Sequence, residues 1–323
     1  MTRSFPPAAV GFISIVLTLL AWSSVPLFLK HFAASIDAWT SNGWRYGFAA
    51  LLWAPVLVVA GYRRRLPAGL WRAALVPSII NGAGQVCFTL AHYKIDPGLL
   101  TFGLRSQLLF AAVGAYMLFP MERPIIRSRR FLLGVVVVTG GTAGAVLLGR
   151  QPVVGAHAAG VILSVGSGFL FGAYGLAVRK YMHQVNPVIA FAAISQYTAA
   201  AMVALMLIRG ESFGLMALAL PSSQFVLLLV SAVIGIALGH VLYYTSIARL
   251  GVAVSSGVLQ LHPFGVAVAS FLLFQEILTP AQWISGSIAL AGAGLMVAAQ
   301  ARVSRAEHID LADRAIAQGK GGS

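Results

Sequence analysis

Long apolar runs alternate with short polar joints along this chain, and the joints carry nearly all of the charge. A run needs roughly 20 mostly apolar residues to cross about 30 Å of hydrocarbon. By that measure the sequence predicts ten helices. The first five run over Val10–Phe32, Ala38–Gly61, Arg72–Tyr93, Pro97–Phe119 and Phe131–Gly149. The second five run over His157–Tyr181, Pro187–Ile208, Ser222–Ile247, Val252–Phe274 and Pro280–Gln300. Pro97, Pro187 and Pro280 fall at helix starts, where a missing N–H costs nothing. Only the connection from Arg209 to Pro221 and the tail after Gln300 are long enough to hold soluble structure. The tail alternates charged and apolar residues from Arg305 to Ala317, as a short surface helix would, and ends in a Gly-rich stretch that reads as disordered.

Composition points to the same solvent. The chain is 59% hydrophobic and 9% charged, with a mean hydropathy of +0.87. A soluble domain needs a polar shell that these residues cannot supply. The one cysteine, Cys87, lies inside an apolar run and excludes an intramolecular disulfide. The net charge of +14 would suit nucleic acid, but its placement argues otherwise. With the amino terminus cytoplasmic, only Lys30, Lys94, Arg150 and Arg209 of the 22 Lys and Arg fall outside, and Arg45 and Arg105 lie within spans. The remainder fall inside, as positive-inside bias requires. The basic charge is therefore topogenic, no nucleic-acid partner is expected, and both termini are placed in the cytoplasm. Treating the first run as a cleaved signal would leave nine spans and undo this distribution. Short loops suggest a bacterial inner membrane.

The two halves repeat. Gly84-Gln-Val-Cys-Phe-Thr-Leu-Ala-His-Tyr-Lys94 aligns without a gap on Gly239-His-Val-Leu-Tyr-Tyr-Thr-Ser-Ile-Ala-Arg249. Asn42-Gly-Trp-Arg-Tyr46 lies beside Ala193-Ile-Ser-Gln-Tyr197, and Glu122 matches Glu276. The offset stays near 150 in a constant order. Five spans per copy is an odd number, so the second copy enters the membrane from the opposite side. The expectation is an all-α integral membrane protein with ten transmembrane helices in two inverted five-helix repeats. The first repeat is placed at 10–150 and the second at 151–300, between a cytoplasmic N-terminus at 1–9 and a C-terminal tail at 301–323. Inverted repeats are a transporter architecture, with substrate held near the midplane where the halves meet. A duplicated membrane scaffold or an intramembrane enzyme is the rival reading.

The segment Leu261-His-Pro-Phe-Gly-Val-Ala-Val-Ala-Ser-Phe-Leu-Leu-Phe-Gln-Glu-Ile-Leu-Thr-Pro-Ala-Gln-Trp-Ile-Ser-Gly286 resembles the ninth-helix signature of the EamA family of the drug/metabolite transporter superfamily. Trp44-Arg45-Tyr46 resembles that family's arginine in the second helix. The resemblance spans essentially the whole chain and implies metabolite efflux or exchange by alternating access. Two departures bear on substrate rather than fold: the first copy has Leu109 where Pro263 stands in the second, and its fourth span carries Arg105.

Ionisable residues within a span are costly and are candidates by default. Arg105 lies near the middle of the fourth span, too deep for easy snorkelling. Arg45 lies in the outer third of the second and could reach outwards along its stem. All eight Asp and Glu fall at or beyond span ends. A guanidinium at midplane depth suits a carboxylate or phosphate in bidentate fashion, so the substrate is expected to bring negative charge. Trp22, Tyr46, Asn81, Gln85, His92, Gln107, Tyr174, Tyr197, His240, Tyr243, Tyr244, Gln260 and His262 complete the candidate substrate-binding set. Asn81, Gln85, Phe88 and His92 share one face of the third span, and His240, Tyr243, Tyr244 and Ile247 the equivalent face of the eighth. A polar stripe in lipid must face protein or a cavity. Interhelical hydrogen bonding is the competing role for any single member.

Nothing marks an enzyme. There is no metal-spaced His/Cys cluster, no phosphate loop and no nucleophile elbow, and no cofactor is expected. Expected partners are a small-molecule substrate and membrane lipid, with a proton or a counter-substrate for coupling through His92, His240 or His262. The chain is expected to act as a monomer or homodimer. An amino acid or opine-like compound leaving the cytoplasm fits the arginines. A neutral nucleoside, a sugar phosphate or a xenobiotic is the alternative cargo.

Overall fold

A computed structural model of the chain describes residues 7–120, 123–149, 154–182, 184–250, 258–259, 261–296 and 298–299. The expected tail helix lies outside the described residues. Among those described there is no strand. The helices are α1 (Pro7–Phe32), α2 (Ala38–Tyr62), α3 (Leu70–His92), α4 (Pro97–Gly103), α5 (Ser106–Leu118), the single turn α6 (Arg123–Ile126) and α7 (Arg129–Leu147) in the first half. The second half holds α8 (Gly155–Met182), α9 (Pro187–Arg209), α10 (Ser222–Ala232), α11 (Gly239–Leu250) and α12 (His262–Phe274), followed by helix over 280–296. Eight segments are long and apolar enough to cross a membrane, α4 with α5 and α10 with α11 each counting once. The ninth and tenth predicted spans are represented by the shorter α12 and by 280–296.

Helix ends follow local chemistry. Asp37 caps α2, accepting from the N–H groups of Trp39 (2.9 Å) and Thr40 (3.0 Å), and it also accepts from Glu211 N–H (3.0 Å). Burial alone would raise the Asp37 pKa, but these bonds and the Thr40 hydroxyl hold its carboxyl below the ordinary value. The cap thereby ties the start of α2 to the segment Glu211–Ala219, which turns through left-handed backbone at Ser212, Phe213 and Gly214 and fills the predicted long connection. Asn186 caps α9 ahead of Pro187 in the same manner.

Packing follows an exchange of the two halves. α3 lies along α8, and α1 lies along α11; equating the first span with the sixth and the third with the eighth turns one pair into the other. The same exchange turns the α5–α8 contact into the α12–α1 contact, and leaves α2–α9 as a self-related pair. The sequence repeat is thus also a repeat of contacts.

Small residues set the closest approaches, since lipid offers no hydrophobic drive between helices. α7 meets 280–296 backbone to backbone: a methyl group at Gly141 would lie 2.6 Å from the Ser285 carbonyl oxygen, whereas one at Gly140 meets nothing within 4 Å. Gly141→Ala is therefore expected to lower stability by roughly 1–3 kcal/mol through overpacking. Gly140→Ala should leave it unchanged or raise it by up to about 1 kcal/mol through helix propensity. Thermal unfolding of the two purified variants measures the contrast, and equal behaviour would remove the close-contact account.

Candidate functional site

The fourth span is not one helix. After α4 the backbone tightens: Arg105 N–H donates to Phe102 O (3.0 Å), Gln107 N–H to Leu104 O (3.0 Å) and Leu108 N–H to Arg105 O (3.1 Å). These i→i+3 bonds separate α4 from α5 and put Arg105 at the joint. At 1.5 Å per residue, the joint lies about 12 Å into the span. The ninth span tightens at the matching place, where Leu261 N–H donates to Val258 O and Phe264 N–H to Leu261 O, both at 3.1 Å. Arg105 Nη1 donates to Leu259 O at 3.2 Å. Placing Leu109 beside Pro263 makes Leu259 the residue equivalent to Arg105, so the two joints face one another across the relation between the halves. Irregular backbone at membrane depth is tolerated where protein or a cavity covers it.

The eighth span is also interrupted. Between α10 and α11 the residues Val233–Leu238 form π-helical turns, which redirect the carbonyl ladder. Two indoles meet the displaced carbonyls: Trp22 Nε1 donates to Gly235 O and Trp53 Nε1 to Ala237 O, each at 3.2 Å. Gly235 and Gly239 allow this approach, since a methyl group at Gly239 would lie 2.9 Å from Trp22 Cδ1. The pair packs α11 against α1, in keeping with the packing role that the Gly-x-x-x-Gly spacing suggests.

An aromatic layer grows from Trp22. Its ring centroid lies 5.4 Å from that of His240 and 5.0 Å from that of Tyr243. His240 stacks on Phe191 at 4.7 Å and 12°. Tyr244 Oη lies 2.9 Å from Tyr174 Oη, and Tyr46 is buried in the same cluster as Phe191 and Tyr244. His262 closes the layer towards α12 through Nε2 and the Trp22 carbonyl at 3.1 Å; because a carbonyl only accepts, the imidazole is the donor. Arg105 enters beside this layer through its bond to Leu259, three residues before His262.

Other candidates lie elsewhere. Asn81 Nδ2 bonds Thr198 Oγ1 at 3.3 Å between α3 and α9, and Tyr197 meets Trp71 edge-on at 5.7 Å near the start of α3. His92 donates from Nδ1 to Phe88 O (2.8 Å) and stacks edge-on against that ring. Gln85 is half-buried on the α3 stripe, and the backbone of Gln107 packs against Gly168 and Gly172 of α8. Gln260 lies outside the described residues. Among the described residues, Asn81 Oδ1, His92 Nε2, His262 Nδ1 and Ser23 Oγ are buried without a hydrogen-bond partner, an expensive state for polar atoms.

One expectation is corrected. Arg45 does not reach outwards: it is 2% exposed, and its Nε donates to Ser231 Oγ of α10 at 2.9 Å. The bond to α10 holds the side chain within the bundle. Sequence reasoning missed Ser231, Trp53 and the Leu259 carbonyl. Trp53 is the one with a visible signal, an indole in the body of a lipid-soluble run.

At the end of the bundle opposite Arg63–Arg65, three charges converge. Lys30 Nζ of α1 lies 3.1 Å from Asp96 Oδ1 at the start of α4 and 3.4 Å from Glu276 Oε1 beyond α12. Ser270 donates to Glu276 Oε2. Glu276 is the most enclosed, and burial, with Asp96 as a negative neighbour, pushes its carboxyl above the ordinary value. The cluster joins the two halves over Ala267, which is 3% exposed.

Comparison with known proteins places this geometry. The model of the EamA-like transporter family matches residues 9–147 and again 158–298, one copy on each half. A solved structure described as "Crystal structure of protein" shares the fold with a TM-score of 0.59 at 16% identity, covering 92% of this chain and 98% of its own. No curated protein matches the sequence.

Proposed function

The chain belongs to the EamA-like transporter family, and from that premise we propose that it exports or exchanges a small carboxylated or otherwise anionic metabolite by alternating access. Family members are membrane transporters rather than enzymes. The observation that carries the substrate class is the position of Arg105. Its guanidinium sits at the joint of one discontinuous span, beside the joint of its repeat partner. Discontinuous spans at a repeat interface are where transporters of this kind hold cargo. A planar cation there recognises a carboxylate by paired N–H donation. The layer of Trp22, His240, Tyr243 and Tyr244 offers the apolar and hydroxyl surface that an amino acid or opine-like compound would meet.

The cation distribution supports cytoplasmic placement of both termini, and the short loops support a bacterial inner membrane. On that orientation, the Lys30–Asp96–Glu276 cluster closes the outer face in this conformation.

Thermal stability of the purified protein against a metabolite panel tests the reading. The panel holds zwitterionic amino acids, dicarboxylates, sugar phosphates, nucleosides and quaternary amines. A ligand at about 100 times its Kd adds roughly 2.7 kcal/mol when it binds the folded state alone. Stabilisation is expected from carboxylated compounds. Stabilisation by quaternary amines or neutral nucleosides alone would overturn the anionic class.

A further inference from the structure

At the basic end of the bundle, the end of α2 and the start of α9 border an open surface groove of about 430 Å³. Its lining combines the apolar Val56, Val59 and Ile189 with the polar Arg63, Arg65 and Asn186. Pro55, also in the lining, lies inside α2 seven residues before the helix ends at Tyr62. The apolar part therefore runs about 10 Å along a membrane-spanning helix. Val59 is 48% exposed and its neighbour Val58 69%, so this side of α2 faces the surroundings of the bundle. Arg63 caps the helix and Arg65 follows two residues later, just beyond its apolar length.

We infer that this groove is a binding site for an anionic phospholipid. Its phosphate is held by Arg63 and Arg65, and an acyl chain runs down over Val59, Val56 and Ile189. The match is one of charge and polarity together. A soluble anion would use the arginines and leave the apolar wall wet, whereas a zwitterionic lipid would place a second cation beside two guanidinium groups. Basic pockets between spans are a recurring seat for acidic headgroups. Arg64 supplies an internal control, because it stands between the two arginines and does not line the groove.

Native mass spectrometry of the full chain in detergent, titrated with phosphatidylglycerol or phosphatidylcholine of the same acyl chains, tests this. Phosphatidylglycerol is expected to survive as a discrete adduct and phosphatidylcholine not. At roughly fivefold per basic residue, the double variant Arg63→Gln/Arg65→Gln should weaken the phosphatidylglycerol adduct about 30-fold. Arg64→Gln should bind as the unaltered chain does. Val59→Trp keeps every charge and fills the apolar wall, and it should also abolish the adduct. Thermal unfolding without lipid should be unchanged in these variants, because the positions are exposed. Equal binding of the two lipids, or equal losses in the double variant and Arg64→Gln, would overturn the site. Binding unaffected by Val59→Trp would reduce it to surface attraction. Stabilisation by inorganic phosphate to the same extent would make the occupant a soluble anion.

Discussion

Substituting Arg105 by alanine is expected to lower uptake of the carboxylated substrate into proteoliposomes about 100-fold, while the protein still inserts and purifies. A charge-assisted pair at low dielectric contributes roughly 1.5–3 kcal/mol, and the upper part of that range corresponds to this factor. Arg105→Lys separates charge from geometry. The ammonium keeps the cation and loses the planar fork, so it should retain substrate binding weakened about tenfold. The competing account is that Arg105 only braces the joint by donating to Leu259 O. Under that account both variants lower thermal stability without substrate, and the added stabilisation by substrate persists. Under the proposed account stability without substrate changes little, and the increment from substrate disappears in the alanine variant. Intact substrate stabilisation in Arg105→Ala would end the assignment.

The spans were legible because lipid imposes one rule along the whole chain: backbone groups satisfied within the helix, apolar side chains outside. The repeat was legible for a related reason. Two copies of one fold must place glycine, aromatic and charged positions in the same order, and the contact pairs α3–α8 and α1–α11 follow that order. What composition and periodicity do not carry is where a span is interrupted. The joint at Arg105 has Gly103 before it and no proline, and the π turns at Val233–Leu238 lie in a run of good membrane-helix formers. Both arise from contacts made far along the chain, by Leu259 on one side and by the indoles of Trp22 and Trp53 on the other. Arg45 failed for the same reason. Its depth is a property of its own helix, but its direction is decided by Ser231, 186 residues away. Face periodicity gathered His240, Tyr243 and Tyr244 correctly into one layer. It could not show that Asn81 and Tyr197, on equally polar stretches, are held by Thr198 and Trp71 away from it.

On the proposed alternating-access reading, loss of the Lys30 cation should open the face over which the cluster lies. The variant leaves the neighbouring Asp96 and Glu276 carboxyls without a neutralising cation, so Lys30→Gln removes an attraction between the halves and leaves their mutual repulsion. Exposed ion pairs contribute little, and Asp96 is 50% exposed, so only part of the Coulomb term survives solvent screening. With Glu276 at 15% exposure, a change of roughly 1.4 kcal/mol, or tenfold, is reasonable for the cluster. The readout is the labelling rate of a cysteine placed at Ala267, beneath the cluster, by a membrane-impermeant thiol reagent in a Cys87→Ser background. Labelling should be slow in the parent and about tenfold faster with Lys30→Gln. The double variant Lys30→Gln/Glu276→Gln should recover most of the protection by removing the second carboxylate. The pH dependence has a defined sign. Glu276 has a raised pKa in the closed form, so that form binds the proton more tightly than an open form in which the carboxyl is solvated. Its contribution to closure is full below the ordinary carboxylate pKa and is lost as pH rises through the raised value. Acidification should therefore slow labelling in the parent by more than the loss of thiolate alone, and Glu276→Gln should leave only the thiolate dependence while keeping the face closed. Labelling that is fast in the parent, or indifferent to Lys30, would mean that the cluster decorates this end of the bundle without gating it.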